Sequence, residues 1–254
     1  MSQTLIDTHA HLCDDRFDAD REAVLARATE AGLSTIVAVS ETLADAQRNL
    51  ELCATYPLLQ PACGLYPDHA DLDQADQMIT FMTEHQSRWV AIGEVGLDYM
   101  LAKEEPQRAI QREVLVRFAQ LAKAWDLPLN CHSRSAGKPV IELLLEQDAK
   151  KVQMHAYHGP HKPALKAVEA GWYFSIPPSV VRSGQMRELV AKLPLSCLLL
   201  ESDSPVLGPE PDQRNEPANI AQSLPVIAEV KGISQAQLRE VVWENTQKLY
   251  TALT

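Results

Sequence analysis

The chain has 254 residues, of which 46% are hydrophobic and 22% charged, with a formal net charge of −11. That length and balance describe a globular protein with one sizeable core and exclude a disordered or fibrous chain. The acidic excess excludes a broad basic face gripping many phosphates of duplex DNA.

The first stretch, LIDTHAHL, is an apolar run that ends in two histidines and predicts a strand. DADREAVLARATEAGL repeats Val24, Leu25, Ala28 and Leu33 at helical spacing, with Gly32 near its end. STIVAVS reads as a buried strand, LADAQRNLELCATY as a helix stopped by Pro57, and LQPACGL as a third strand. After the loop YPDHADLDQ comes a helix near ADQMITFMTEHQ, then the strand WVAIGEVGLDY and the long helix PQRAIQREVLVRFAQLAKAWD. The alternation continues through the strand LPLNCHS, the helix KPVIELLLEQ, the strand KVQMHAYHG and the helix PALKAVEAG. GWYFSIPPS, SGQMRELVAKL and LSCLLLESDSP follow as strand, helix and strand, and two closing helices occupy the tail.

Strand–helix units at a spacing of about 30 residues predict a parallel (β/α)8 TIM barrel, a single domain spanning residues 1–254. The rival, a doubly wound sheet binding a dinucleotide, lacks a GxGxxG after its first strand. GPEPDQRNEPAN reads as a loop after the last strand, with Arg214 and Glu216 fixing it. The five cysteines form no CxxC pair and read as reduced thiols. MSQTLIDTHAHL lacks the pattern of a signal peptide, and no apolar run approaches the roughly 20 residues that span a bilayer, so a cytoplasmic location is expected. No exposed apolar stripe stands out, which favours a monomer.

Alternate residues of a strand share a face, so His9 and His11 point the same way, with Asp7 one step deeper. In a barrel that face is the interior, at the mouth where sites are built. Glu94 lies late in the fourth strand, and His132, His155 and Asp203 end the fifth, sixth and eighth. Singly, each has a structural reading: a core histidine, a salt-bridge carboxylate, a turn aspartate. Together they bring six nitrogen and oxygen donors to one rim, a set suited to two zinc, manganese or magnesium ions. Burying such groups together without a cation leaves carboxylates and imidazoles poorly paired.

LIDTHAHL, IGEVGLDY, CHSR, MHAYHG and ESDSP, in this order along almost the whole chain, resemble the TatD family of metal-dependent hydrolases, within the amidohydrolase-like barrels. The resemblance implies phosphodiester cleavage, usually as a DNase, with one to three divalent cations, of which two, with a third as a further option, are expected here. It implies that His9 and His11 hold the first metal, that Glu94 bridges two metals, and that His132 and His155 hold the second. It makes Asp203 the residue that contacts the first metal and the attacking water, so Asp203 and Glu94 are the expected catalytic residues. Two features depart from the family pattern. A GxHP loop after the third strand is here GLYP, which puts Tyr66 where a histidine often holds phosphate. The sixth-strand HxF is here HAYHG, which adds His158 as a candidate.

Arg134, two residues past His132, offers a planar fork of donors to a phosphate, and Arg182 and Arg214 are weaker candidates. Tyr66, Tyr99 and Tyr157 follow strands and could stack on a base, although barrel packing accounts for at least one of them. The acidic balance favours a single-stranded end over wrapped duplex. Exonuclease action on single-stranded DNA ends is therefore expected, with RNA as a further substrate; the 3′–5′ character given to it is an expectation that no residue of the sequence sets. The alternative is a hydrolase of a small ester, lactone or cyclic amide. Many such enzymes bridge their metals with a carboxylated lysine, where this chain has Glu94. A third reading, a barrel that binds without chemistry, is disfavoured by the complete donor set.

Overall fold

The computed structural model describes residues 4–253 and forms an eight-stranded parallel sheet in the order β1 to β8. The strands are β1 Leu5–Ala10, β2 Leu33–Ala38, β3 Leu59–Cys63, β4 Ala91–Gly96, β5 Leu129–His132, β6 Val152–Met154, β7 Tyr173–Ile176 and β8 Leu198–Leu200. A helix follows each: α1 Arg21–Glu30, α2 Leu43–Thr55, α3 Leu72–Glu84, α4 Glu105–Trp125, α5 Gly137–Glu146, α6 His161–Glu169, α7 Gly184–Lys192 and α8 Ile220–Lys231. A further helix, α9 Gln235–Leu249, comes last. The result is the expected (β/α)8 TIM barrel. β8 comes back to β1, where the Thr8 hydroxyl donates to the Leu200 carbonyl at 2.9 Å. Past the end of β8, the Asp203 N–H donates to His9 O at 2.9 Å and the His11 N–H donates to Ser204 O at 2.8 Å.

Local chemistry sets the element boundaries. β1 and β4 are buried at every position, as strands covered on both faces must be. Thr42 and Asp45 form a capping box at the start of α2, Asp71 caps α3, and Ser234 with Gln237 opens α9. Gly232, at φ +65°, ends α8 in the left-handed conformation that glycine adopts without strain. Among the described residues, no helix is long and apolar enough to cross a membrane.

The strands in the second half stop earlier than the apolar runs suggest. KVQMHAYHG is ordered as a strand only over Val152–Met154, and LSCLLLESDSP only over Leu198–Leu200. Past these points the chain leaves the ladder: Ala156 lies at φ +41° and Asp203 at φ +53°. These bends turn the following side chains over the mouth instead of continuing the pleat. GWYFSIPPS likewise ends at Ile176, because Pro177 and Pro178 lead into a short 3-10 turn.

The barrel interior beneath the mouth is partly polar. Asn130 donates to Thr8 O at 2.8 Å, and Gln153 donates to the Thr8 hydroxyl at 2.9 Å and to Ser175 Oγ at 2.8 Å. The fully buried Tyr250, just past α9, brings its phenol into the same network and donates to Gln153 Oε1. Gly93 makes room for this arrangement, since a Cβ there would lie 2.6 Å from the Asn130 Cβ.

Candidate metal centre

β1 supplies His9 and, just past its end, His11; β4 supplies Glu94; β5 ends on His132; His155 follows β6 and Asp203 follows β8. All six are at most 9% exposed and gather at one mouth. His9 Nε2 and His11 Nε2 face each other at 3.1 Å. Glu94 Oε2 lies 3.6 and 3.3 Å from these nitrogens, and Asp203 Oδ1 lies 3.5 Å from both. The other Glu94 oxygen, Oε1, lies 2.7 Å from His132 Nδ1 and 2.9 Å from His155 Nε2, which are 3.1 Å apart. Glu94 thus stands between two donor groups and turns one oxygen to each.

The outer nitrogens of the histidines explain why the inner ones converge. Asn130 uses its amide N–H on Thr8 O, so its Oδ1 faces His9 Nδ1 at 2.8 Å and accepts a hydrogen bond from its N–H. His9 Nε2 therefore carries a lone pair into the cluster. His11 Nδ1 lies 3.3 Å from Glu41 Oε1, His132 Nε2 lies 3.1 Å from Asp98 Oδ2, and His155 Nδ1 lies 3.7 Å from Glu201 Oε2. Asn130 and Asp98 hold His9 and His132 by hydrogen bonds, the Glu41 and Glu201 carboxylates stand behind His11 and His155 although His155 Nδ1 makes no hydrogen bond, and each imidazole presents its other nitrogen inward, the arrangement that orients histidine ligands. Zinc–nitrogen bonds of about 2.1 Å in a tetrahedron place neighbouring donors about 3.4 Å apart. The donor spacing and the all nitrogen-and-oxygen set fit divalent cations. His11, Glu41 and Glu94 form a further group whose donor atoms lie within 4.8 Å of one another.

Charge is balanced inside the cluster. Burial drives His9 down to about 3, and the field of His155, whose ring stacks on it at 3.9 Å, adds to that. Burial opposes charge on His11 as well, but its bond to Asp203 and the field of Glu94 carry it up to about 9. Burial would raise the Glu94 carboxyl, yet the fields of His155 and His9 and the bonds from His132 and His155 hold it well below the usual range. A cation entering such a cluster displaces imidazole protons and takes over their charge. Asp7 lies below the donors. Its Oδ1 accepts from the N–H groups of His9 and Ser202, tying β1 to the segment after β8, and burial pushes it up to about 8.

The cluster opens into a cavity of about 600 Å³ lined by His11, Tyr66, Arg134, His158, Val206 and Leu207 among others. Arg134 directs Nε and Nη2 to Asp98 Oδ2, both at 2.7 Å, and its side chain is 47% exposed. The Tyr66 hydroxyl donates to the same oxygen at 3.3 Å, and its ring stands edge-on to His132. His158 donates Nδ1–H to Ala156 O at 2.6 Å, which leaves Nε2 for the cavity side.

The other aromatic candidates belong to packing. Tyr99 does not line the cavity: its ring lies against the Arg108 guanidinium at 4.5 Å and its hydroxyl accepts from Arg112. Tyr157 is buried, donates to Pro160 O and packs on Phe174. Arg214 pairs with Asp20 and Glu216 with Arg27, so both fix the last loop as expected. Arg182 lies outside the cavity wall and donates to Gly208 O.

Sequence reading missed Glu41, Asp98, Asn130 and Glu201, the acceptors behind the histidines. Three of them were within reach of the rule applied to His9 and His11. Asn130 is in parity with His132, Glu201 with Asp203, and Asp98 with Glu94, so alternation along each strand end marks them. Glu41 has no such partner on its own strand.

The sequence matches the family model of TatD related DNases over residues 6–251. It is 44% identical to the Deoxyribonuclease TATDN3 of Homo sapiens, over 98% of this chain and 95% of that protein. It is 33% identical to YabD of Bacillus subtilis, described as a metal-dependent hydrolase, over 97% and 98%. The crystal structure of the TatD homologue YjjV from Escherichia coli superposes with a TM-score of 0.90 at 30% identity, covering 99% of both chains. A barrel of this shape, a donor cluster of this kind and relatives matched along their full length lead to one conclusion: the chain belongs to the TatD-related DNase family of metal-dependent hydrolases.

Proposed function

We propose that this protein is a divalent-metal-dependent deoxyribonuclease acting as a 3′–5′ exonuclease on single-stranded DNA ends, and working as a cytoplasmic monomer of one domain. The observation that carries the reading is the position of Glu94 between two groups of imidazole nitrogens, with one carboxylate oxygen turned to each. His9, His11, Glu94 and Asp203 would hold one cation and His132, His155 and Glu94 a second, with zinc, manganese or magnesium as candidates. Such ions polarise a phosphate ester and acidify a bound water.

The chain's own residues complete the chemistry. Asp203, with burial opposed by the bond to His11 and by the fields of the three histidines around it, stays below the ordinary carboxylate range and is ionised at neutral pH. It can orient a water and accept its proton. Asp98 fixes Nε and Nη2 of Arg134 and leaves Nη1 for a phosphate oxygen. The Tyr66 proton is committed to Asp98, so Tyr66 contributes a wall and holds Arg134 indirectly. The cavity admits a strand end more readily than a duplex.

Arg134→Ala is expected to raise KM for an oligonucleotide about 10-fold or more with a smaller change in kcat, the pattern for a lost phosphate contact; steady-state kinetics reads it. Asn130→Ala is expected to weaken cation affinity about 10–100-fold by freeing the His9 tautomer. Competition with a fluorescent chelator measures this, and unchanged affinity would remove Asn130 from the centre.

The reading as a whole is tested by supplying the purified protein with each cation and single-stranded oligonucleotides labelled at either end. Stepwise shortening from the 3′ end, lost in His132→Ala, is expected. Turnover of lactones or dihydropyrimidines with phosphodiesters untouched would replace it with the small-molecule reading.

A further inference from the structure

The mouth of the barrel is electrically lopsided. The loop after β1 holds Asp14 and Asp15, the loop after β3 holds Asp68 and Asp71, and the loop after β8 holds Glu210 and Asp212. Residues 133–138, 155–162 and 177–183, which follow β5, β6 and β7, contain no aspartate or glutamate. They contain Arg134, Lys138, His158, His161, Lys162 and Arg182 instead. In a protein with net charge −11, this arc is a part of the rim whose loops present cations and no carboxylate of their own to a polyanion, with Glu142 and Glu188 on the helices behind them.

Three cations of the arc, Lys138, Lys162 and Arg182, are exposed and lightly paired, whereas Arg134 is held by Asp98 and His161 faces Glu188 at 3.3 Å. The Lys138 side chain is 62% exposed and meets only Glu142, at 3.7 Å. Lys162 and Arg182 are exposed and have no carboxylate partner among the described residues. Their placement also runs against local helix stability. Helices α1 to α4 each carry an acidic residue in the first turn: Glu22, Asp45, Asp73 and Glu105. Helices α5 to α9 carry none; of these, α5 and α6 also lack a capping side chain and place Lys138 and Lys162 in that turn, where the macrodipole disfavours a cation. Residues that break a local rule concentrate where function requires them.

The arc is continuous with the site. Ser133, Arg134 and Ser135 from the β5 loop and His155, Ala156 and His158 from the β6 loop line the cavity. Arg182 donates to Gly208 O at 3.1 Å, beside the cavity-lining Leu207. Gln185 of α7 donates to His158 O at 2.8 Å, joining the β6 loop to the β7 side. A cavity of about 600 Å³ holds one drug-sized ligand, so a strand longer than about two nucleotides must continue outside it.

We propose that the rim after β5, β6 and β7 is the track on which the rest of a single-stranded DNA substrate lies, its phosphates facing Lys138, Lys162 and Arg182. This rests on the phosphodiesterase reading above and adds the direction in which the strand leaves the metal centre.

The test uses the holoenzyme and its triple variant Lys138→Glu, Lys162→Glu, Arg182→Glu. A control triple, Lys123→Glu, Lys150→Glu, Lys248→Glu, makes the same charge change on elements away from the rim. Binding of a fluorescent phosphorothioate oligothymidylate of about 20 residues is followed by anisotropy across salt concentrations, with bis(p-nitrophenyl) phosphate turnover as the measure of the intact site. The rim variant is expected to raise Kd about tenfold or more at low salt and to flatten the log–log salt slope by about 2, close to 0.7 for each of three lost phosphate contacts. Its turnover of the small diester should match that of the control. An unchanged Kd and slope, an equal loss in the control, or no binding by the unmutated holoenzyme overturns the track. Binding that depends on the rim, with neither ester hydrolysed, supports the track and sinks the nuclease reading separately.

Discussion

Replacing Asp203 with asparagine is expected to lower kcat for phosphodiester hydrolysis by about three orders of magnitude while leaving most of the bound cation in place. Asparagine keeps the shape and one oxygen of the side chain but cannot accept a proton from water. The backbone at this position lies at φ +53°, a conformation that asparagine tolerates better than most residues, so the loop should keep its path. Asp203 Oδ1 is 3.5 Å from both His9 Nε2 and His11 Nε2, the longest contacts of its donor group apart from that of His9 with Glu94. The remaining three donors should therefore retain a cation. The measurement pairs single-turnover kinetics with elemental analysis of the same preparation. Activity within tenfold of the parent would remove Asp203 from the chemistry, and a collapse in cation content would make it a ligand first and a base second.

Glu94→Gln is expected to go further, with at least one cation lost per chain and activity below about a thousandth of the parent, a difference of roughly 4 kcal/mol in transition-state stabilisation. The carboxylate is 1% exposed and supplies an oxygen to each donor group, at 2.7 and 2.9 Å on one side and 3.3 and 3.6 Å on the other. An amide in its place directs N–H donors at one of these groups and removes the negative charge that would offset the two proposed cations. Cation content from elemental analysis, with the thermal midpoint as a check on folding, separates this from simple unfolding. A Glu94→Gln protein holding its full complement of metal would show that the two donor groups do not depend on a shared carboxylate.

Much of this architecture is legible in the residues themselves. The alternation of apolar strands with amphipathic helices is enough for the barrel, because a parallel strand buried on both faces and a helix covering it leave separate patterns. His9 and His11 announce themselves by their spacing, and His132 ends its strand as the apolar run suggests. The bends at Ala156 and Asp203 are not visible in the same way. KVQMHAYHG and LSCLLLESDSP look like uninterrupted strands, and the groups that meet the backbone at the bends lie far off in the chain: Glu201 for the Ala156 N–H and His9 for the Asp203 N–H. Asn130, Asp98 and Glu201 share the parity of the donors, yet parity alone does not say what they do. Asn130 and Asp98 sit in stretches that packing alone would explain, and their roles depend on partners far off in the chain: His9 for Asn130, His132 and Arg134 for Asp98. Tyr99 misled in the opposite direction, because a tyrosine just past a strand end reads as a mouth residue until the arginines of α4 cover it.

The central claim is that two cations sit on either side of Glu94. Element-specific anomalous diffraction from crystals of protein kept free of chelator tests it most directly. Two peaks are predicted, one among His9 Nε2, His11 Nε2, Glu94 Oε2 and Asp203, the other among His132 Nδ1, His155 Nε2 and Glu94 Oε1. An active protein whose crystals scatter anomalously at neither position, or only at a place remote from this mouth, would contradict the account.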